Sequence, residues 1–153
     1  VYKRQIISCM DTRLTELLPA ALGMKNGDAK IIKNAGGVIS HPFGSVMRSL
    51  LIGIYELGVD EILVIGHTDC GARCTDSHSM IQKMKARGVT QKNIDLIKYY
   101  GIDFDSWLGG FFDLDLSIRR SVELIRNHPL VPEEIKVYGL VIDSVTGALS
   151  QVV

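Results

Sequence analysis

The 153-residue sequence predicts an α/β fold, a mostly parallel sheet flanked by helices on both faces. Three observations carry that expectation. Short apolar runs alternate with stretches of helical spacing, the pattern of strands joined by helical crossovers. The run Ile62-Leu63-Val64-Ile65 is apolar without interruption, as a strand must be when both faces of its sheet are covered. The chain is 46% hydrophobic and 22% charged, and it contains no internal repeat, low-complexity tract or linker, so residues 1–153 read as one domain with its own core.

The elements follow in order. Lys3 to Ser8 reads as a short strand ending at Cys9. "LTELLPAALGMKNGD" reads as a turn or two of helix and then a glycine-punctuated loop. "AKIIKN" (29–34) is a second strand, stopped by "AGG". In "GSVMRSLLIGIYELG" the apolar residues Val46, Met47, Leu50, Leu51, Ile54 and Leu57 lie on one helical face, and Gly58 suits a C-terminal cap. "DEILVIG" (60–66) is the buried strand. "TDSHSMIQKMKARG" reads as a helix capped by Thr75 or Asp76. "TQKNIDLIKYYG" has some helical character, whereas "IDFDSWLGGFFD" carries no assignable pattern. "LSIRRSVELIRN" (116–127) is a helix that ends before His128-Pro129. "IKVYGLVID" is a strand, and a turn at Thr146-Gly147 leads into a last strand over 148–152.

Charge narrows the function classes. Lys+Arg and Asp+Glu both total 17, a formal net charge of zero, so the basic excess of a nucleic-acid binder is missing. No apolar stretch approaches the ~20 residues that span a bilayer, and no signal peptide is visible, which makes the cytoplasm the expected compartment. The chain begins at Val1 and enters a strand almost at once, so further residues are expected upstream. Three cysteines do not make a disulfide framework; in a reducing compartment such thiols more often bind metal or react.

The chemistry gathers at strand ends, where open parallel sheets form their sites. One strand ends at Cys9; another is followed by His67-Thr68-Asp69-Cys70. If those strands are neighbours, Cys9, His67 and Cys70 converge, and two thiolates with one imidazole are a known zinc set that leaves a fourth position for water. The competing reading of H-x-x-C is a capped turn that contains a buried thiol. Cys9 also opens "CMDTR", and in an extended segment Cys9, Asp11 and Arg13 share one face, so a carboxylate with its own guanidinium would lie beside the metal. The competing reading there is an exposed ion pair. A phosphatase-like C-x5-R loop does not fit, because only three residues separate Cys9 from Arg13.

Taken together, "CMDTR", "KNAGG", "GHTDCG" and "VYGLVIDSVTGAL" resemble the β-class carbonic anhydrases over nearly the whole chain, and more the compact archaeal and mycobacterial branch than the plant type. Lys33 stands where that family usually has Arg before N-A-G. The resemblance implies Zn2+ held by Cys9, His67 and Cys70, with Asp11 and Arg13 as a catalytic dyad beside the metal. Asp11 would itself become a ligand only in a closed state. It implies four parallel strands plus one antiparallel edge strand, a homodimer or higher even oligomer, and reversible hydration of carbon dioxide to bicarbonate and a proton. Gly36 and Gly37 could present backbone N–H groups to bicarbonate, or could simply form a tight turn before a helix.

Other residues have plainer expectations. Cys74 reads as a buried thiol at the start of a helix. His41 and His78 read as surface residues, with His41 a remote proton-shuttle candidate. Two rival functions share the motif: hydrolysis of carbonyl sulfide or carbon disulfide on the same zinc, and a non-catalytic zinc-binding domain, which would have no use for the dyad. A redox pair of Cys70 and Cys74 is a third.

Overall fold

The computed structural model describes residues 3–153, so the expectation attached to Val1 lies outside the described residues. The chain divides into two compact units, Val1–Cys70 with Asp113–Val153, and Gly71–Phe112.

The first unit holds the sheet. Its elements are β1 (Arg4–Cys9), α1 (Leu14–Ala21), β2 (Lys30–Asn34), α2 (Ser45–Leu57) and β3 (Glu61–His67). After the second unit come α6 (Leu114–Arg126), β4 (Lys136–Ile142) and β5 (Leu149–Gln151). The strand order is β2-β1-β3-β4-β5. The first four strands run parallel, and β5 pairs antiparallel with β4 at the edge. This is the expected sheet.

Its centre is apolar on both sides. Ile7, Ile62, Val64 and Val137 of one face pack with Met47, Leu50 and Ile54 of α2 and with Ile118, Val122 and Ile125 of α6. Neighbouring side chains along a strand point to opposite faces, so Ile6, Leu63, Ile65 and Ile142 form the other face. They are buried too, as are Leu14 and Leu18 of α1. The strongest sequence signals are thus the residues that must leave water at roughly 1.5–3 kcal/mol per large side chain. Gly58 takes the left-handed conformation at the end of α2, as its position predicted. β5 is shorter than the 148–152 run suggested: beyond Gln151 the amides of Val152 and Val153 both donate to Gly139 O and the Gly139 amide donates to Val153 O, which departs from the regular ladder.

The second unit contains the segment that resisted assignment. It has a 3-10 turn (Gly71–Cys74), α3 (Ser77–Ala86), α4 (Gln91–Tyr99) and α5 (Phe104–Leu108). Each α-helix begins at a side-chain cap: Asp76 accepts from the Ser79 amide, Thr90 from Asn93 and Asp103 from Asp105. The Ser77 hydroxyl bonds the Asp105 carboxylate, the Gly110 amide reaches Thr75 O at 2.9 Å, and Arg73 Nε reaches Phe112 O at 2.9 Å. Only Ser77, Ile94 and Phe104 of its helices are buried. Helices held by caps and polar bonds leave little hydrophobic periodicity to read, which is why α5 was not foreseen. Among the described residues, no helix is long and apolar enough to cross a membrane.

Candidate metal centre

Cys9 is the last residue of β1 and His67 the last of β3, and these strands are hydrogen-bonded neighbours in register. Cys70 follows in the turn after β3. Asp69 makes that turn, with a left-handed φ of 52° that is uncommon for a non-glycine residue. One N–H···O bond past the strand, from Thr68 N to Ile142 O at 3.1 Å, anchors the turn to β4. The ligand atoms of Cys9, His67 and Cys70 all lie within 4.8 Å of one another, and all three residues are buried.

Whether this group fits a metal can be tested on its own geometry. The two sulfurs are 3.8 Å apart. That is far beyond the ~2.05 Å of a disulfide, and it matches the ~3.8 Å separation of two thiolates each ~2.3 Å from one tetrahedral zinc. His67 Nδ1 lies 2.7 Å from the carbonyl of Thr68, so Nδ1 carries the proton and donates it there. In the neutral ring Nε2 then keeps its lone pair. It is buried, His67 being 1% exposed, and has no hydrogen-bond partner. A buried acceptor left without a partner costs about 1–3 kcal/mol. An ion between Nε2 and the two sulfurs removes that cost, so the residues fit a metal.

Gly66, immediately before His67, has a packing reason to be glycine. A Cβ there would sit 2.8 Å from the side chains of both Leu114 and Ile118 of α6. Gly37 presses on the other strand end. It has φ +63°, and a Cβ would lie 2.8 Å from Cys9 N, 3.0 Å from Ser8 C and 3.3 Å from Ile65 O. The Asn34 side chain closes this loop by bonding Val38 N and O, and Met10 N donates to Asn34 O at 2.8 Å. Gly36, with φ 89°, lies in the same turn.

Asp11 and Arg13 do meet, but not by the expected route. Arg13 is in the right-handed helical region, φ −64° and ψ −22°, at the cap of α1, so the segment after Cys9 is not extended. The turn folds Arg13 back on Asp11: its amide and Nε donate to Oδ1 at 2.9 and 3.1 Å, and Nη2 donates to Oδ2 at 2.8 Å. These bonds hold the Asp11 carboxyl well below the usual carboxylate range, the side-chain bonds from Arg13 most, then its amide, with smaller help from the charge of Arg13. The same pairing raises the pKa of Arg13. Asp11 Oδ2 lies 3.9 Å from His67 Nε2, so an ionised carboxylate borders the cluster. Its side chain is 18% exposed and that of Arg13 is 44% exposed. Arg13 also donates to Asp69 O at 2.9 Å and to Ser144 Oγ at 3.4 Å.

Residues outside the cluster sort as follows. Cys74 is exposed, against the expectation of a buried thiol, because the short 3-10 turn that carries it buries none of its residues. His41 and His78 are exposed as expected. His128 is buried and fully engaged, with Nε2 2.7 Å from Pro42 O and Nδ1 accepting from Leu130 N. Thr68 and Ser144, to which the sequence points only as hydroxyl residues just after His67 and just beyond β4, join the network around Arg13.

The likeness to known proteins is extensive. The Bacillus subtilis protein named "Putative carbonic anhydrase YtiB" is 54% identical over 151 residues, 99% of this chain and 81% of that protein. The crystal structure of β-carbonic anhydrase isoform I from Trichomonas vaginalis superposes with a TM-score of 0.91 at 36% identity, covering 99% of this chain and 82% of the other. A carbon disulfide hydrolase of Acidithiobacillus thiooxidans is 31% identical over 152 residues, 94% of this chain and 74% of that protein. The carbonic anhydrase family model matches residues 5–149, from the first strand with its Cys9 through the H-x-x-C turn to the start of the last strand, and the chain belongs to the β class of that family.

Proposed function

We propose that this protein is a zinc-dependent carbonic anhydrase that interconverts carbon dioxide and bicarbonate, with Cys9, His67 and Cys70 as the zinc ligands and Asp11 and Arg13 as the catalytic dyad. The observation that carries the reading is the buried, partnerless Nε2 of His67 facing two cysteine sulfurs 3.8 Å apart, with a carboxylate at its border. When bound, zinc lowers the pKa of water enough to supply hydroxide near neutral pH, the nucleophile this reaction needs. The protein's own groups do the rest. Nδ1–H on the Thr68 carbonyl keeps the imidazole in the tautomer whose Nε2 can coordinate. Asp11, ionised and acceptor-only, orients a proton-bearing nucleophile beside the cluster. Arg13, bound to both carboxylate oxygens, keeps Asp11 turned away from the ligand position it would take in the closed state. Gly36 and Gly37 would offer backbone N–H groups to bicarbonate.

The test combines metal analysis with stopped-flow hydration of carbon dioxide. Asp11→Ala should retain zinc and lose most of its turnover, and Arg13→Ala should lower turnover sharply, by about tenfold or more. Full zinc with wild-type hydration in Asp11→Ala would sink the dyad. A second reading keeps the site and changes the substrate, and the 31% identical relative named a carbon disulfide hydrolase favours it. Parallel assays with carbonyl sulfide and carbon disulfide separate the two.

Three further expectations belong to this proposal. The chain acts as one cytoplasmic domain over 1–153. It binds neither nucleic acid nor membrane. It works as a twofold homodimer or a higher even oligomer. Support for association comes from exposed Phe43, Tyr55 and Leu130, which form one patch: Tyr55 OH bonds Leu130 O at 2.8 Å, and the Phe43 ring packs edge-on against His128.

A further inference from the structure

We infer that Ser144, locked in place by Thr68, is a positioning residue that holds Arg13 against Asp11. The inference rests on the reading of Asp11 and Arg13 as the dyad.

An arginine tied to one carboxylate is not thereby fixed in space. The Arg13 side chain is 44% exposed, and an exposed pair of this kind is worth little on its own. The pair can swing together unless the guanidinium has other anchors. Two exist, and they come from different strand ends. Nη2 donates to the carbonyl of Asp69 in the turn after β3, and Nη1 donates to Ser144 Oγ just after β4. Arg13, in the turn after β1, therefore links to the turns that follow the two neighbouring strands, β3 and β4.

The Ser144 hydroxyl is itself held. Ser144 is 6% exposed. Its amide donates to Thr68 Oγ1 at 2.9 Å, and its Oγ lies 3.1 Å from the same Thr68 oxygen. Whichever hydroxyl donates to the other, Ser144 Oγ keeps a lone pair for Arg13. Thr68 is fixed in turn by its amide bond to Ile142 O, and its carbonyl takes the Nδ1 proton of His67. One residue thus orients the ligand imidazole through its backbone and the dyad arginine through its side chain. The two hydroxyls bond each other and, between them, the Ser144 amide and Arg13. What they supply is direction at a long, weak 3.4 Å contact that an unheld serine would not maintain.

The experiment uses the zinc-loaded full chain and three variants: Ser144→Ala, Thr68→Val, and Thr68→Ser, which keeps the hydroxyl. Zinc content, kcat and KM for carbon dioxide, and the exchange rate of the Arg13 Nε–H by 15N NMR are measured for each. Ser144→Ala and Thr68→Val should keep zinc and lose about fivefold in kcat with KM nearly unchanged, the size expected for one hydrogen bond to a charged donor at a partly exposed site. Their Arg13 Nε–H should exchange faster by a similar factor, which a merely structural role would not produce, and Thr68→Ser should behave as wild type. Wild-type kcat with unaltered Arg13 exchange in both Ser144→Ala and Thr68→Val overturns the inference. If Arg13→Ala itself hydrates carbon dioxide at the wild-type rate, the dyad reading falls instead, so the two failures are distinguishable.

Discussion

Gly37→Ala should damage both the fold and the metal site, and the structure allows the two causes to be separated. Gly37 has φ +63°, a conformation that costs an L-residue roughly 1–2 kcal/mol. The new Cβ would also stand 2.8 Å from Cys9 N and 3.0 Å from Ser8 C. Both are backbone atoms of β1, so no side chain can rotate out of the way. Relief requires the loop or the strand end to move by several tenths of an ångström, an overpacking cost of about 1–3 kcal/mol. Gly23 supplies the control: it has the same φ of +63° and nothing within 4 Å of its Cβ position. Gly23→Ala should lose about 1–2 kcal/mol of stability, and Gly37→Ala about 2–5 kcal/mol. Because the displaced residue is Cys9, zinc affinity in Gly37→Ala should also fall by about 10- to 100-fold, as for other changes that misplace a ligand from behind. Urea unfolding of the metal-free proteins and zinc competition against a chromophoric chelator give the two numbers. If Gly37→Ala is no less stable than Gly23→Ala and binds zinc as tightly as wild type, the close approach to Cys9 has no energetic weight and the argument is wrong.

The remaining predictions are briefer. The protein should carry about one zinc per chain, lost in Cys9→Ser, His67→Ala or Cys70→Ser and kept in Cys74→Ser; elemental analysis showing full zinc in Cys70→Ser would refute the ligand set. Asp143 accepts from Thr146 and Val145 amides at 2.7 and 2.9 Å, bonds that, with the Thr146 side chain, lower its pKa from 3.8. A depressed folded-state pKa stabilises above the unfolded value and is lost as pH falls through the folded one. Asp143→Ala should therefore melt lower than wild type at pH 7, with the gap closing below about pH 4; an equal gap at both would show that the carboxylate charge is irrelevant to the turn. Sedimentation should find a dimer or larger even oligomer at micromolar concentration, and Tyr55→Arg should weaken it; a stable, active wild-type monomer would contradict the proposed assembly.

Much of the site was legible before the fold was known. Cys9, His67 and Cys70 are metal-ligand types placed at the ends of two apolar runs, and parallel sheets gather strand ends on one edge. The pairing of Asp11 with Arg13 was also readable, though its geometry was misjudged: two-residue spacing suggested an extended segment, whereas the helical φ and ψ of Arg13 bring it back through a turn. Cys74 was misplaced because burial at a loop residue depends on what packs against it, which no local spacing reports. The α5 segment was missed because a five-residue helix held by the Asp103 cap has no repeated apolar face to detect.

By itself, the sequence determined which segments become buried strands and helices, because hydrophobic periodicity is a local property, and which residue types can hold a soft metal, because that is a property of sulfur and imidazole. Only the tertiary structure decided that β1 lies beside β3, which brings Cys9 within 3.8 Å of Cys70 across 61 positions of chain. It alone brought Ser144 to Arg13 from 131 positions away, and gave Gly37 its contact with Cys9. Those juxtapositions come from strand order and close packing, which are global outcomes, and a chain read one window at a time contains no measure of either.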